Sequence, residues 1–264
     1  MWRYLTLDTG EYAMARAYAE ESLALFDEVS DQWGRPYALH LLVGIAHVQG
    51  DVARAAVYNE EILTFYRQID DKRGVGISLG NKGIIAQLQG DWEHAVALYA
   101  ECLTFSREVG DKEMTVVGLH DLGGAVLHQG DALRAAACFA EGLALSREIG
   151  SRPRIALNLA GMAGVAALQE RAERSARLFG AADALFDAIG MTVDLVDRRE
   201  YDRNREIARV QLGEELFVAA WAEGQAMTVE QAIAEALQQT DPGAIQATVE
   251  RGASGNRSGT PTVS

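Results

Sequence analysis

Cysteine, proline and basic residues are scarce in this chain, and each shortage removes a class of protein. Two cysteines, Cys102 and Cys138, cannot build a disulfide framework and have no CxxC spacing, which fits a reducing compartment. Both read as small buried thiols. Four prolines occur, and Pro36 and Pro153 precede Ala/Leu-rich stretches where a proline in the first helical turn costs nothing, so helix is favoured over sheet. Lysine and arginine number 24 against 38 acidic residues, a formal charge of −14. Phosphate backbones and anionic membrane surfaces repel such a molecule, and no direct nucleic-acid binding is expected. Long apolar runs are also missing: Ile155 to Leu168, of about 14 residues, falls short of the roughly 18 of a membrane span. The opening MWRYLTLDTGEY turns polar too soon for a signal peptide, so the expected location is cytoplasmic. A hydrophobic content of 48% with 23% charge is that of a folded protein.

Self-similarity is what the chain has in abundance. Glycine recurs every 40 residues at Gly10, Gly50, Gly90 and Gly130, with Glu170 in the fifth place. Three copies share their flanks, Gln49-Gly50-Asp51, Gln89-Gly90-Asp91 and Gln129-Gly130-Asp131. Leu39, Leu79, Leu119 and Leu159 precede the turn in the same register, and Ala15, Ala55, Ala95, Ala135 and Ser175 follow it. Leu23, Leu63, Leu103 and Leu143 lie two helical turns beyond the alanines and so on the same face. Each repeat therefore reads as two antiparallel helices. Glycine ends one, aspartate stands at the positive start of the next, and the small alanine lets the pair approach closely. Gly110, Gly150 and Gly190 close the second helices, and Asp31, Asp71, Asp111 and Ser151 stand where the next cap belongs.

The array resembles the tetratricopeptide repeat in its longer form, with small residues and leucine in the first helix, Gly-Asp at the turn, then alanine and an aromatic. Tyr99, Phe139 and Phe179 supply that aromatic, while Ala19 and Asn59 depart from it. Residues 194–212 read as a helix with an interleaved charged face. Gly213 to Gly224 carries Phe217 and Trp221, and Thr228 to Gln231 has the form of a capping box. The expected fold is all-α: a right-handed tetratricopeptide-type helical solenoid over residues 1–192, a C-terminal helical cap over 193–239, and a disordered Gly/Ser/Thr-rich tail over 240–264. Asn256-Arg-Ser258 is a glycosylation string without a secretory context.

A narrower likeness lies near the C-terminus. Ala176-Arg-Leu-Phe-Gly180-Ala-Ala, Leu212-Gly-Glu-Glu-Leu-Phe217 and the run from Ala220 through Trp221, Gly224 and Met227 to Leu237 resemble the end of the LuxR/AfsR-like and cyclase-linked signal-transduction ATPases, the MalT-like repeat region. That resemblance implies a regulatory sensor arm, with a protein or peptide partner that includes an upstream ATPase domain. The alternative is a stand-alone peptide or small-molecule receptor of tetratricopeptide type.

Strings that suggest catalysis fail on context. Gly76-Ile-Ser78-Leu-Gly80 looks like a nucleophile elbow but falls inside a helix, with Leu79 in the leucine column. Lys82 stands at the wrong distance from Gly80 for a phosphate loop. No enzyme and no cofactor are expected. Of five histidines, His40, His47, His120 and His128 fall in first helices, the concave side of such solenoids, and His94 does not. No two stand i, i+4, and His40 and His120, two repeats apart, are separated by roughly 20 Å if neighbouring helices pack 8–10 Å apart. No metal site results. His40, His47 and His120, with Tyr37, Asn81, Gln87 and Asp121, are the candidate contacts of a polar groove.

Trp2 stands in the register of Leu42, and Leu5 in that of Ile45, on a first helix too short to cover its partner. Self-association through this N-terminal edge, or docking there on an upstream domain, is the expected consequence. For want of a phosphate loop or chelating set, titration calorimetry with ATP and with zinc is expected to show no micromolar binding; a stoichiometric isotherm with either would overturn that expectation.

Overall fold

The computed structural model describes residues 9–191, 193 and 195–238. Every regular element among them is helical: α1 (Thr9–Glu28), α2 (Arg35–Val48), α3 (Val52–Gln68), α4 (Lys72–Leu88), α5 (Trp92–Glu108), α6 (Lys112–His128), α7 (Ala132–Glu148), α8 (Arg152–Leu168), α9 (Ala172–Ala188), α10 (Leu195–Leu212), α11 (Glu214–Gln225) and α12 (Val229–Leu237). Each helix from α1 to α9 packs on the next, which makes the array a tetratricopeptide-like helical solenoid. Trp2, Leu5, the Asn256 string and the tail at 240–264 lie outside the described residues.

The metre is finer than the 40-residue repeat. Ser30, Gly50, Asp70, Gly90, Gly110, Gly130, Gly150, Glu170 and Gly190 all have positive φ, one at every twentieth position. A left-handed residue after each helix reverses the chain. The next residue then caps the following helix: Asp51, Asp71, Asp91, Asp111 and Asp131 accept from the backbone N–H three residues on, at 2.9–3.1 Å. Each cap contributes about 1 kcal/mol. Glu170 accepts φ +59 without glycine's freedom, and Arg171 after it makes no side-chain cap.

Three capping assignments change. Ser151 makes no side-chain cap, and Asp31 accepts from the N–H groups of Trp33 and Gly34 in a turn ahead of α2. Gly10, expected in a turn, lies inside α1.

The periodic columns form the core. Leu39, Leu79, Leu119 and Leu159 are buried, as are Ala55, Ala95 and Ala135, while Ala15 is half-buried. Ser175 replaces the fifth alanine by donating to the Ala163 carbonyl at 2.8 Å. Volume is matched across the helix pair. Rings Tyr99 and Phe139 lie against Gly83 and Gly123, where an added Cβ would come within 2.4 and 2.7 Å of the ring. In the repeat with Asn59, the register position of those glycines holds Val43, and Asn59 instead donates to the Ser78 carbonyl at 2.9 Å and accepts from Asn81 at 3.2 Å.

Beyond α9, the helix α11 lies on α9 with backbones touching at Gly180 and Gly224. Phe217 is buried with Ala167, Ala176 and Ala208, and Trp221 is half-buried. The capping box of α12 is complete in both directions, and Ala232, Ile233 and Ala236 carry that helix into the core.

Two glycine substitutions separate two costs. At Gly224 a Cβ would sit 1.9 Å from the Arg177 carbonyl oxygen, so Gly224→Ala is expected to force α11 off α9 and to lose about 1–3 kcal/mol in urea unfolding. Gly90, with open space around it and φ +82, is expected to lose only the left-handed cost of about 1 kcal/mol on Gly90→Ala. Equal losses at both sites would contradict the close contact.

Candidate interaction groove

The first helices α2, α4, α6 and α8 share one side of the solenoid, and α10 lies along it. Its Asn204 reaches Gly164 of α8, its Asp197 and Glu200 reach α6, and it comes beside α2. An 18-residue helix spans about 27 Å, enough to cross several of these helices. The sequence places this segment in a cap at the end of the solenoid; in the structure it packs on α8 and α9, the last pair of the array, and its side chains reach α6.

Its seat is mostly polar. His120 Nε2 is 3.5 Å from Asp197 Oδ2, and His128 Nδ1 is 3.0 Å from Glu200 Oε1. The His128 ring stacks on Trp92 of α5, with centroids 3.7 Å apart and planes 14° apart. Arg203 meets both Glu200 and His128. Farther along, the Tyr201 ring packs on Phe179 and Phe186, and its hydroxyl donates to Asp183. Burial, then the Asp183 carboxylate, pushes the Tyr201 phenol up, so it stays a donor. Trp221 Nε1 donates to the other Asp183 oxygen at 2.9 Å, and one carboxylate thus ties α9, α10 and α11.

The seven groove candidates do not gather on one open surface. Tyr37 alone is exposed, at 77%. His40 is half-buried with Nε2 3.2 Å from the Tyr66 hydroxyl, and burial lowers its pKa to about 4. His47, His120 and Asp121 are buried. Half-buried Asn81 is held by Asn59, and half-buried Gln87 accepts from the Tyr99 hydroxyl at 2.9 Å. These bonds join distant segments, which helix register does not reveal.

Trp33 was missed. It is 67% exposed at the entrance to α2, edge-on to Phe65 at 5.7 Å, and Phe65 in turn meets Tyr66. A usable signal exists: Trp33 and Tyr37 are the only aromatic pair at their register positions, where Arg73 and Ile77, Glu113 and Val117, and Pro153 and Leu157 follow. Nearby, a cavity of about 660 Å³ opens between α1, α2 and α3 over Leu39 and Ile62, with Arg35 and Glu61 at its rim.

Ser78, Cys102 and Cys138 are not poised for nucleophilic chemistry. Ser78 is buried and donates to the Gly74 carbonyl within its own helix, and burial pushes the Cys102 and Cys138 thiols up to about 12 and about 11. Among the described residues no group of three or more His, Cys, Asp or Glu side chains could hold a metal ion, and no helix is long and apolar enough to cross a membrane.

The family described as Tetratricopeptide repeat has a model that matches residues 75–109, from within α4 to the end of α5. No curated protein matches the chain. The chain thus contains a tetratricopeptide-repeat region, and repeats of this kind are typically non-catalytic scaffolds that bind proteins or peptides.

His40 gives a pH test. An unfolded histidine takes up its proton near pH 6.5, whereas folded His40 does so only near 4. Its contribution is therefore complete above pH 6.5 and is lost as the pH falls toward 4. Urea unfolding at pH 7 and pH 5 is expected to show an acid-side loss of about 1–3 kcal/mol that His40→Gln diminishes. An unchanged loss in that variant would sink the assignment.

Proposed function

We propose that the chain is a non-catalytic protein-interaction and effector-sensing module, the sensor arm of a bacterial signal-transduction ATPase or transcriptional regulator. In this reading residues 1–192 form the repeat array, 193–239 its C-terminal cap, and the first-helix side receives a protein or peptide. The observation that carries the binding role is the pair Trp33 and Tyr37, two large aromatics left 67% and 77% exposed at the start of α2. Exposed aromatics of this kind supply much of the contact energy at protein interfaces. The regulatory part rests on the likeness of residues 176–182 and 212–237 to the ends of such ATPases. Within this chain those segments join α11 to α9 through Gly180, Gly224 and Trp221.

A second reading, a stand-alone peptide or small-molecule receptor, is favoured by the cavity between α1, α2 and α3. Its apolar floor and charged rim suit a ligand with one buried apolar group.

Selection of a displayed random-peptide library on the full chain, with counter-selection on Trp33→Ala/Tyr37→Ala, tests the binding role. Peptides are expected whose affinity falls at least about tenfold in the double variant. Failure to enrich any, or equal binding to both chains, would remove the assignment of this rim. Selected peptides that depend on Leu39 and Ile62 instead would favour the cavity reading.

A further inference from the structure

We propose that α10 is a removable occupant of the first-helix groove, holding it shut against a helical partner of its own chemistry: two carboxylates three residues apart, followed by tyrosine. The proposal rests on the interaction-module reading and names both the partner's chemistry and what that partner must displace.

The two C-terminal attachments differ in kind. α11 is locked, because Gly180 and Gly224 place its backbone directly on α9 and Phe217 closes the apolar contact. α10 is seated more lightly. Of its side chains that are described, only Tyr201 and Ala208 are buried, Ala208 beside Phe217 of α11, and its exposed edge carries Arg198, Arg199, Asp202 and Glu206. The contacts on α6 are side chain to side chain: a carboxylate meets an imidazole at Asp197–His120 and Glu200–His128, and Arg203 also reaches His128. Gly213, at φ +83, joins the light helix to the locked one and supplies a pivot between them.

The surface beneath α10 is built for such a helix. His120 stands beside Phe139, and the flat face of Trp92 fixes the His128 ring where Glu200 meets it. Gly164 leaves room for Asn204, since an added Cβ would lie 2.9 Å from its Nδ2 atom and equally close to Leu127. Phe179, Phe186 and Asp183 receive Tyr201 by ring and hydroxyl. A partner helix with carboxylates at the places of Asp197 and Glu200 and a tyrosine at that of Tyr201 would satisfy the same groups. α10 also comes beside α2, the helix that begins by the exposed Trp33 and carries Tyr37. A longer partner could therefore meet the aromatic rim first and then compete for the seat.

The test uses the full chain and its Asp197→Ala/Glu200→Ala variant, in which alanine favours helix and both carboxylate contacts on α6 are lost, together with the Glu200–Arg203 pair within α10. Hydrogen exchange of residues 195–212 is expected to quicken at least tenfold in the variant while that of 214–225 is unchanged. A labelled synthetic peptide of residues 195–212 is expected to bind the variant at least tenfold more tightly than the parent chain. Unchanged exchange in 195–212, equal peptide affinities or absence of peptide binding to the variant would each overturn the proposal. So would quickening of 214–225 in step with 195–212, because α10 would then be an inseparable part of the cap. The single variant His128→Ala, which leaves α10 intact and removes one partner on α6, is expected to reproduce the quickening; slow exchange there would refute the proposal. Selected peptides that need Trp33 and Tyr37 but leave α10 protected would keep the interaction reading and dismiss the displacement.

Discussion

A left-handed residue followed by a capping carboxylate is the constraint on which the solenoid depends. The pair reverses the chain in about three residues, and between successive reversals there is room for one 17-residue helix, as in α3 through α9. Equal lengths keep the leucine and alanine columns opposite one another, so every repeat presents the same surface to the next. Packing then needs only local adjustment of volume, such as a ring against glycine in two repeats and asparagine with valine in another. The exceptions fit this logic. Glu170-Arg171 replaces Gly-Asp at the last turn of the array, where α9 has α11 on its far side and more contact to hold it.

The two ends of the described chain meet different needs. At the C-terminal end, helix contact at Gly180 and Gly224 takes the place of a sixth repeat, and the Asp183 carboxylate receives donors from both Tyr201 and Trp221. At the other end Met14, Tyr18 and Leu25 of α1 stay exposed. In later repeats the register partners of Tyr18 are Tyr58, half-buried, and Leu98, Cys138 and Leu178, all buried.

Function is distributed in the same way as stability. Regular repeats place first helices side by side and make a long surface, but regularity alone does not say which part of that surface is open. α10 packs on α8 and α9 and reaches α6 with side chains, and the aromatic pair Trp33 and Tyr37 at the start of α2 remains exposed. Polar residues that look like groove contacts on a helical wheel serve elsewhere: Asn81 satisfies a buried asparagine, Gln87 receives a tyrosine hydroxyl, and His120 faces a carboxylate of the chain itself.

The helices α2 through α9, the turns between them and their core columns were determined by the sequence alone, because propensity, capping and hydrophobic periodicity act over a few residues and repeat in register. The capping box of α12 and the span of α10 were legible for the same reason. The place of α10 was decided only by tertiary structure. Its interleaved charges read equally as a solvated face, and the partners that seat it, such as His128 for Glu200, lie 72 residues away in sequence. The exposure of Trp33 and the burial of His47 and His120 depend likewise on which helices come to lie over the first-helix side. That is a long-range outcome, which no spacing along the chain encodes.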